Sequence, residues 1–217
     1  MAGRSGQLCP VCRGEDVELF LTVEGKDYWR CTTCAARYLD AAQRPSPAEE
    51  RAHYLTHENA PDDPGYRRWL SRLTRPLLER LSPGAKGLDY GCGPGPALAK
   101  IFAEAGHHMA VYDPIFAPDR TPLEEHYDVV TCTETAEHFH DPAAEFDRLA
   151  DLLKPGGLLG VMTIFQTDDA RFANWRYRRD PTHVVFYRAD TFHLIATRRG
   201  LTCEIVEKDV VLMQKGV

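Results

Sequence analysis

The stretch Gly87 to Pro114, GLDYGCGPGPALAKIFAEAGHHMAVYDP, decides the fold. An apolar run, GLDYG, leads into glycines at alternate positions, Gly91, Gly93 and Gly95. Pro96 to Ala105 has helical spacing and stops at Gly106. His108 to Tyr112 (HMAVY) reads as the next strand and ends on Asp113. Strand, glycine turn, helix and strand together make one unit of an α/β fold with a mainly parallel sheet. Glycine at the first strand-to-helix turn lets a ligand approach the backbone, and the helix N-terminus adds N–H donors. An acid after the second strand commonly holds a ribose diol, which is the place of Asp113. The pattern points to a nucleoside-containing cofactor; a purely structural glycine turn is the alternative.

The remaining chain extends the alternation. Tyr127 to Thr133 (YDVVTCT) reads as a strand and Pro142 to Leu153 as an amphipathic helix. Lys154-Pro155-Gly156-Gly157 reads as a turn into the strand LLGVMTIF. A helix around Arg188 to Arg199 and the strands LTCEIVE and DVVLMQ close the chain. Between Asp113 and Tyr127 no strand pattern is evident. Upstream, Arg44 to Pro47 (RPSP) breaks the chain, and Ser46-x-x-Glu49 has the form of a capping box. From Tyr66, Trp69, Leu70, Leu73, Leu77 and Leu81 fall on one helical face, with Pro76 a candidate kink. The arginines mostly off that face read as a solvated surface. Three regions follow: 1–44, 45–82 and 83–217.

A chain of 217 residues with net charge -6 lacks the basic balance of a general nucleic-acid binder. No apolar stretch reaches the ~18 residues of a membrane span, and the N-terminus lacks the apolar segment of a secretory signal. Four of the seven cysteines form two pairs, Cys9-Pro-Val-Cys12 and Cys31-Thr-Thr-Cys34. An odd total with two CxxC pairs favours a reducing cytoplasm and metal binding over disulfides. The pairs lie in the spacing range of a four-cysteine zinc ribbon, with the hairpin VELFLTVEGKDYWRC between them. Four thiolates complete a tetrahedron, so such a site is structural. Cys92, Cys132 and Cys203 read as ordinary buried thiols.

Asp89-x-Gly91-x-Gly93-x-Gly95 resembles the first motif of class I S-adenosylmethionine-dependent methyltransferases, (D/E)xGxGxG. The acid-ended VYDP, the segment CTETAEHFHDP and the segment LLKPGGLLGVMT are similar to further motifs of that family. The resemblance covers roughly residues 83–217. It implies a Rossmann-like seven-stranded sheet with the last strand antiparallel, and methyl transfer from S-adenosylmethionine. It further implies that Asp89, Gly91 and Gly93 line the methionine end and that Asp113 binds the ribose. Pro114 and Ile115 then flank the adenine, and Thr133 and Glu134 face the sulfonium. A helical lid in the place of 45–82 commonly closes over the methionine carboxylate, which puts Tyr54 and His57 forward, beside Asn59 and Tyr66.

The segment YRRDPTHVVFYRADTF resembles the GTHDWxxF segment of polyprenyl-quinol O-methyltransferases, with Thr182, His183 and Phe186 matching and Asp180-Pro181 before the threonine. His183 is then a candidate general base, because an imidazole titrates near neutrality, or a histidine that holds its loop. Glu137 and His138 are either catalytic or shape the turn. Trp175, Tyr177 and Tyr187 either wall an acceptor pocket or pack the core. Arg171 to Arg199 holds seven arginines against Asp180 and Asp190, an excess that suits an anionic acceptor or a plain surface. Residues 1–44 carry six basic and six acidic side chains, so the ribbon is neutral and phosphate-driven RNA docking is disfavoured. The expectation is a methyltransferase acting on a small molecule at oxygen. An RNA methyltransferase guided by the ribbon and a catalytically silent scaffold are the alternatives.

Overall fold

The computed structural model describes residues 7–56 and 60–217. At its centre lies a six-stranded sheet of β4 (Lys86–Tyr90), β5 (His108–Tyr112), β6 (Tyr127–Thr133), β7 (Leu153–Met162), β9 (Leu201–Glu207) and β10 (Val210–Lys215), in the order β5-β4-β6-β7-β10-β9. The pairs among β5, β4, β6 and β7 are parallel; β10 runs antiparallel to both β7 and β9. The last strand is thus antiparallel, as the family resemblance implies, but six strands stand among the described residues where seven are implied. The missing edge strand falls in 114–126, where Pro114, Pro118 and Pro122 remove ladder donors. That segment instead closes a short bridge, Asp113 to Ala117, and a 3-10 turn at Thr121–Glu124.

Side chains alternate across the pleat and sort into two cores. Leu158, Met162, Val210 and Leu212 face α2 (Pro64–Leu78) and α3 (Ala97–Glu104). Leu159, Val161, Val211 and Met213 face the opposite side, with α4 (Pro142–Asp151) and α5 (Ala189–Arg198). Gly160 lets α2 approach β7: a Cβ there would lie 2.7 Å from the Leu77 and 2.9 Å from the Leu73 side chain. Lys154-Pro155-Gly156-Gly157 is not a separate turn. It starts β7, with Gly156 at φ +76° and a register break opposite β6. Pro76 lies in the last turn of α2 and does not split it. Ser46 and Glu49 form the expected capping box of α1 (Pro47–Tyr54).

A second sheet runs β1 (Val17–Val23), β2 (Lys26–Cys31), β3 (Arg37–Leu39) and β8 (Val185–Phe186). Its hairpin turns through Glu24 and Gly25, both at positive φ. Its last strand comes from the far end of the chain, so the cysteine-bearing hairpin and the segment after β7 share one sheet and one core. Among the described residues no helix is long and apolar enough to cross a membrane.

Leu73 is fully buried between α2 and the sheet. Leu73→Ala removes that contact and lowers unfolding free energy by about 2–5 kcal/mol. A drop in urea midpoint at constant m-value is the expected result.

Candidate functional site

The carboxyl ends of β4, β5 and β6 open into a cavity of about 1050 Å³. The glycine turn forms its floor. Gly91 sits at φ +79° and Gly93 at φ +64°, and the Gly91 N–H donates to the Tyr112 carbonyl at 2.7 Å. A Cβ on Gly91 would come within 2.3 Å of Thr135, so only glycine fits this approach. Asp113 ends β5 and accepts from the Ile115 and Phe116 N–H groups at 2.8 and 3.0 Å and from Gly93 N–H at 3.1 Å. Its carboxylate therefore fixes the glycine turn and the following loop together. Asp89 is buried and accepts from the Thr131 hydroxyl at 2.9 Å. Pro114 and Ile115 also line the cavity.

The opposite wall is built from the turn after β6. Thr133 presents a buried hydroxyl with no partner among the described residues. Glu134 adopts φ +47°, costly for a residue with a Cβ, and is held by its N–H to the Met162 carbonyl at 2.8 Å. Burial, then the charge of Glu137, pushes the Glu134 carboxyl up to about 9. Glu137 is fully buried in the 3-10 turn Ala136–His138. Tyr177 donates to one of its oxygens at 2.5 Å, and the other has no partner among the described residues.

His138 and His183 complete this wall, their rings 4.7 Å apart at centroid. His183 Nδ1 lies 2.7 Å from the Tyr177 carbonyl, and His138 Nδ1 lies 3.0 Å from the Thr182 carbonyl. A carbonyl only accepts, so each Nδ1 carries a proton, and a neutral ring then keeps its lone pair on Nε2. Burial lowers the His183 pKa and favours that neutral form. His183 Nε2 lies 4.0 Å from Glu137 and 3.9 Å from Asp180. Burial opposes ionisation of Asp180, but hydrogen bonds from Thr182 and the nearby His183 and His53 hold it at about 2. Glu137, His138 and His183 place ligand-type atoms within 4.8 Å of one another.

From the lid region, Tyr54 packs edge-on against His138 at 5.2 Å, on the imidazole side. Tyr66, whose phenol is pushed up to about 12 by burial and then the charges of Asp89 and Glu134, lies near those two acids. His57 and Asn59 lie outside the described residues. Trp175 and Tyr177 line the cavity, but Tyr187 does not: it is fully buried and donates to the Ala136 carbonyl at 2.7 Å. Most of the arginine excess is also structural. Arg178 binds Glu24 and Tyr28, Arg188 binds the Gln166 and Thr167 carbonyls, Arg198 the Cys12 carbonyl and Arg199 Asp147. Of the seven, Arg176 alone lines the cavity. Sequence reading missed His53, whose Nε2 lies 3.2 Å from Asp180, and Glu50, another lining residue. Both sit on α1 beside Tyr54, and helical spacing was the available signal.

All four paired cysteines are buried at one point. Cys9 and Cys34 sulfurs lie 3.6 Å apart, as do those of Cys12 and Cys31, and all four lie within 4.8 Å. A tetrahedron of thiolates around zinc at ~2.3 Å has sulfurs about 3.8 Å apart, so the set fits that ion. Each pair forms the same knuckle: Cys9 N–H donates to the Gly14 carbonyl and Cys31 N–H to the Ala36 carbonyl. Arg13 and Ala35, following each pair, both take positive φ.

This topology, glycine turn and pair of acids define a class I methyltransferase fold. A family profile described as a methyltransferase domain matches residues 65–206, and the chain belongs to that family. Among curated relatives, the ubiquinone biosynthesis O-methyltransferase of Marinobacter nauticus is 36% identical over 113 residues, 40% of this chain and 47% of that protein. The protein of that name from Xylella fastidiosa is 34% identical over 110 residues, 39% of this chain and 44% of that one. The match thus spans about half the length of these relatives. In fold, the chain is similar to an O-methyltransferase family protein of Burkholderia thailandensis (TM-score 0.50, 17% identity, 77% and 63% of the two chains). It is also similar to human N-acetylserotonin methyltransferase (TM-score 0.52, 14% identity, 79% and 57%).

Burial holds the Asp89 carboxyl up at about 7, against the Thr131 hydrogen bond and aided by Asp113. A carboxyl with a raised pKa favours the protonated folded chain, so its stability contribution is present below the ordinary Asp pKa and is lost as pH rises through about 7. Asp89→Asn removes that penalty, about 4 kcal/mol at most. The variant is expected to melt above the parent at pH 8, the difference closing by pH 4; a pH-independent difference would contradict the assignment.

Proposed function

We propose that the chain transfers a methyl group from S-adenosylmethionine to the hydroxyl oxygen of a small aromatic acceptor. One observation carries the reading: a single cavity has the Asp89 and Asp113 carboxylates on one wall and two imidazoles, each held through Nδ1 by a backbone carbonyl, on the other. S-adenosylmethionine, when bound, supplies an electrophilic methyl group on a sulfonium. Asp89, Gly91 and Gly93 would hold its methionine end, Asp113 its ribose, and Pro114 and Ile115 its base. The buried acids fit a cationic ligand, because a positive charge offsets the cost of burying them. Tyr54, Trp175 and Tyr177 flank the acceptor and exclude water. His183 Nε2 takes the proton from the acceptor hydroxyl as the oxygen–carbon bond forms and the carbon–sulfur bond breaks. Glu137 and Asp180 stabilise the imidazolium that results. His138 orients the acceptor.

The four cysteines hold a structural zinc ion. The ribbon is neutral, and its β3 edge is covered by β8, which supports a small-molecule acceptor over RNA docking. A second reading of the acceptor wall rests on the close approach of Glu137, His138 and His183. A divalent cation there would acidify the acceptor hydroxyl in place of a free imidazole base.

His183→Gln separates the two roles of the cavity. The expected result is a kcat reduced about 10²–10⁴-fold towards a phenolic acceptor, with S-adenosylhomocysteine affinity unchanged. Rescue of the loss at high pH, where the phenol ionises unaided, supports the base; activity abolished by brief EDTA treatment and restored by Mg²⁺ selects the cation reading. Full activity of the variant contradicts both.

A further inference from the structure

The second cysteine knuckle is tied to the imidazole wall by a short run of backbone hydrogen bonds. The second knuckle runs through Ala35 and Ala36 straight into β3. There Arg37 pairs with Phe186 and Tyr38 with Val185 of β8. The Leu39 N–H donates to the Val184 carbonyl at 2.9 Å, and the Val184 N–H donates to the Glu137 carbonyl at 2.9 Å. Two residues earlier, the Thr182 carbonyl takes the His138 Nδ1 proton. The short segment Thr182 to Phe186 is therefore bonded both to the ribbon and to the turn carrying Glu137 and His138.

Side chains repeat the connection. Arg37 is 2% exposed, and its Nη2 donates to both Asp169 oxygens at 2.7 and 2.8 Å. Arg178, 3% exposed, donates to Glu24 at 3.0 Å, the Tyr28 hydroxyl at 3.3 Å and the Ala173 carbonyl at 2.7 Å. Phe172 packs edge-on against Tyr28 and Phe186, and Trp175 packs on Phe186 and Tyr177. Tyr177 in turn lies against His183 at 4.1 Å. The cofactor-side acids are tied differently: Asp89 bonds to Thr131, and Asp113 to Gly93, Ile115 and Phe116, all outside the ribbon.

We propose that zinc bound by Cys9, Cys12, Cys31 and Cys34 sets the geometry of the acceptor wall through the β3–β8 pairing, and leaves the cofactor wall to fold without it. The ribbon is then a brace for Tyr177, His138 and His183, and Asp169 is a positioning residue of that brace. The assignment of that wall to the acceptor rests on the function proposed above; the mechanical coupling does not.

Hydrogen exchange of the full chain, zinc-loaded and zinc-stripped, tests the coupling. Stripping is expected to raise exchange in peptides covering 133–139 and 165–187 as well as 9–39, while peptides covering 86–113 keep their protection and S-adenosylhomocysteine affinity changes by less than about threefold. A change confined to 9–39, or loss of protection throughout the chain, overturns the proposal. Coupling is reciprocal, so loosening the brace must also loosen the metal. Asp169→Asn, with all four cysteines intact, is expected to bind zinc at least about fivefold more weakly in equilibrium competition with a chromophoric chelator; an unchanged affinity overturns the proposal. Exchange and zinc affinity are read without substrate, so a wrong methyltransferase reading would leave those two results intact and appear instead as absent S-adenosylhomocysteine binding in the zinc-loaded chain.

Discussion

Val184 uses both of its backbone groups to join parts of the chain that are far apart in sequence. Its carbonyl accepts from Leu39 and its N–H donates to Glu137. A buried peptide group left without a partner costs as much as a lost hydrogen bond, so neither neighbour can withdraw cheaply. The segment around it is short, and β8 is two residues long. Such a strand has no stability of its own and exists because β3 pairs with it and the residue before it is bonded to Leu39 and Glu137. The imidazole wall inherits its position from that constraint. His138 is fixed by the Thr182 carbonyl, His183 by the Tyr177 carbonyl, and Tyr187 by the Ala136 carbonyl.

The two walls of the cavity are built by different means. The wall with Asp89 and Asp113 comes from adjacent parallel strands, whose carboxyl ends open where their loops diverge. Asp89 and Asp113 follow from the strands that carry them and need little outside support. The other wall collects groups from α1, the turn after β6, the 3-10 turn Arg176–Arg179 and the segment leading into β8. Ribbon aromatics and buried arginines hold it from behind. The buried acids, Asp89 and Glu134 above all, carry a desolvation cost that a cationic ligand can relieve.

This difference explains what the sequence could say. The glycine turn, Asp89, Asp113 and the cysteine spacing are local patterns dictated by backbone geometry, and each was legible as it stood. β1, β2, β6 and β9 were legible too, as runs bounded by turn residues. The pairing of β3 with β8 joins residues almost 150 positions apart and leaves no periodic trace. The role of Tyr187 was equally hidden, because an aromatic beside a pocket and one beneath it look alike in sequence. The absent edge strand was half visible: the prolines of 114–126 forbid a regular ladder, although the family resemblance implies one. The arginine excess stayed open between a ligand and a surface, and several of its guanidiniums instead bind backbone carbonyls.

Calorimetric titration of the zinc-loaded chain with S-adenosylmethionine, S-adenosylhomocysteine and NADH tests the central claim most directly, with Asp113→Ala alongside. Binding of the first two ligands, none of NADH, and weakened affinity in the variant is the predicted result. Binding of NADH, no binding at all, or an Asp113→Ala variant that binds as the parent does would contradict the reading of the cavity.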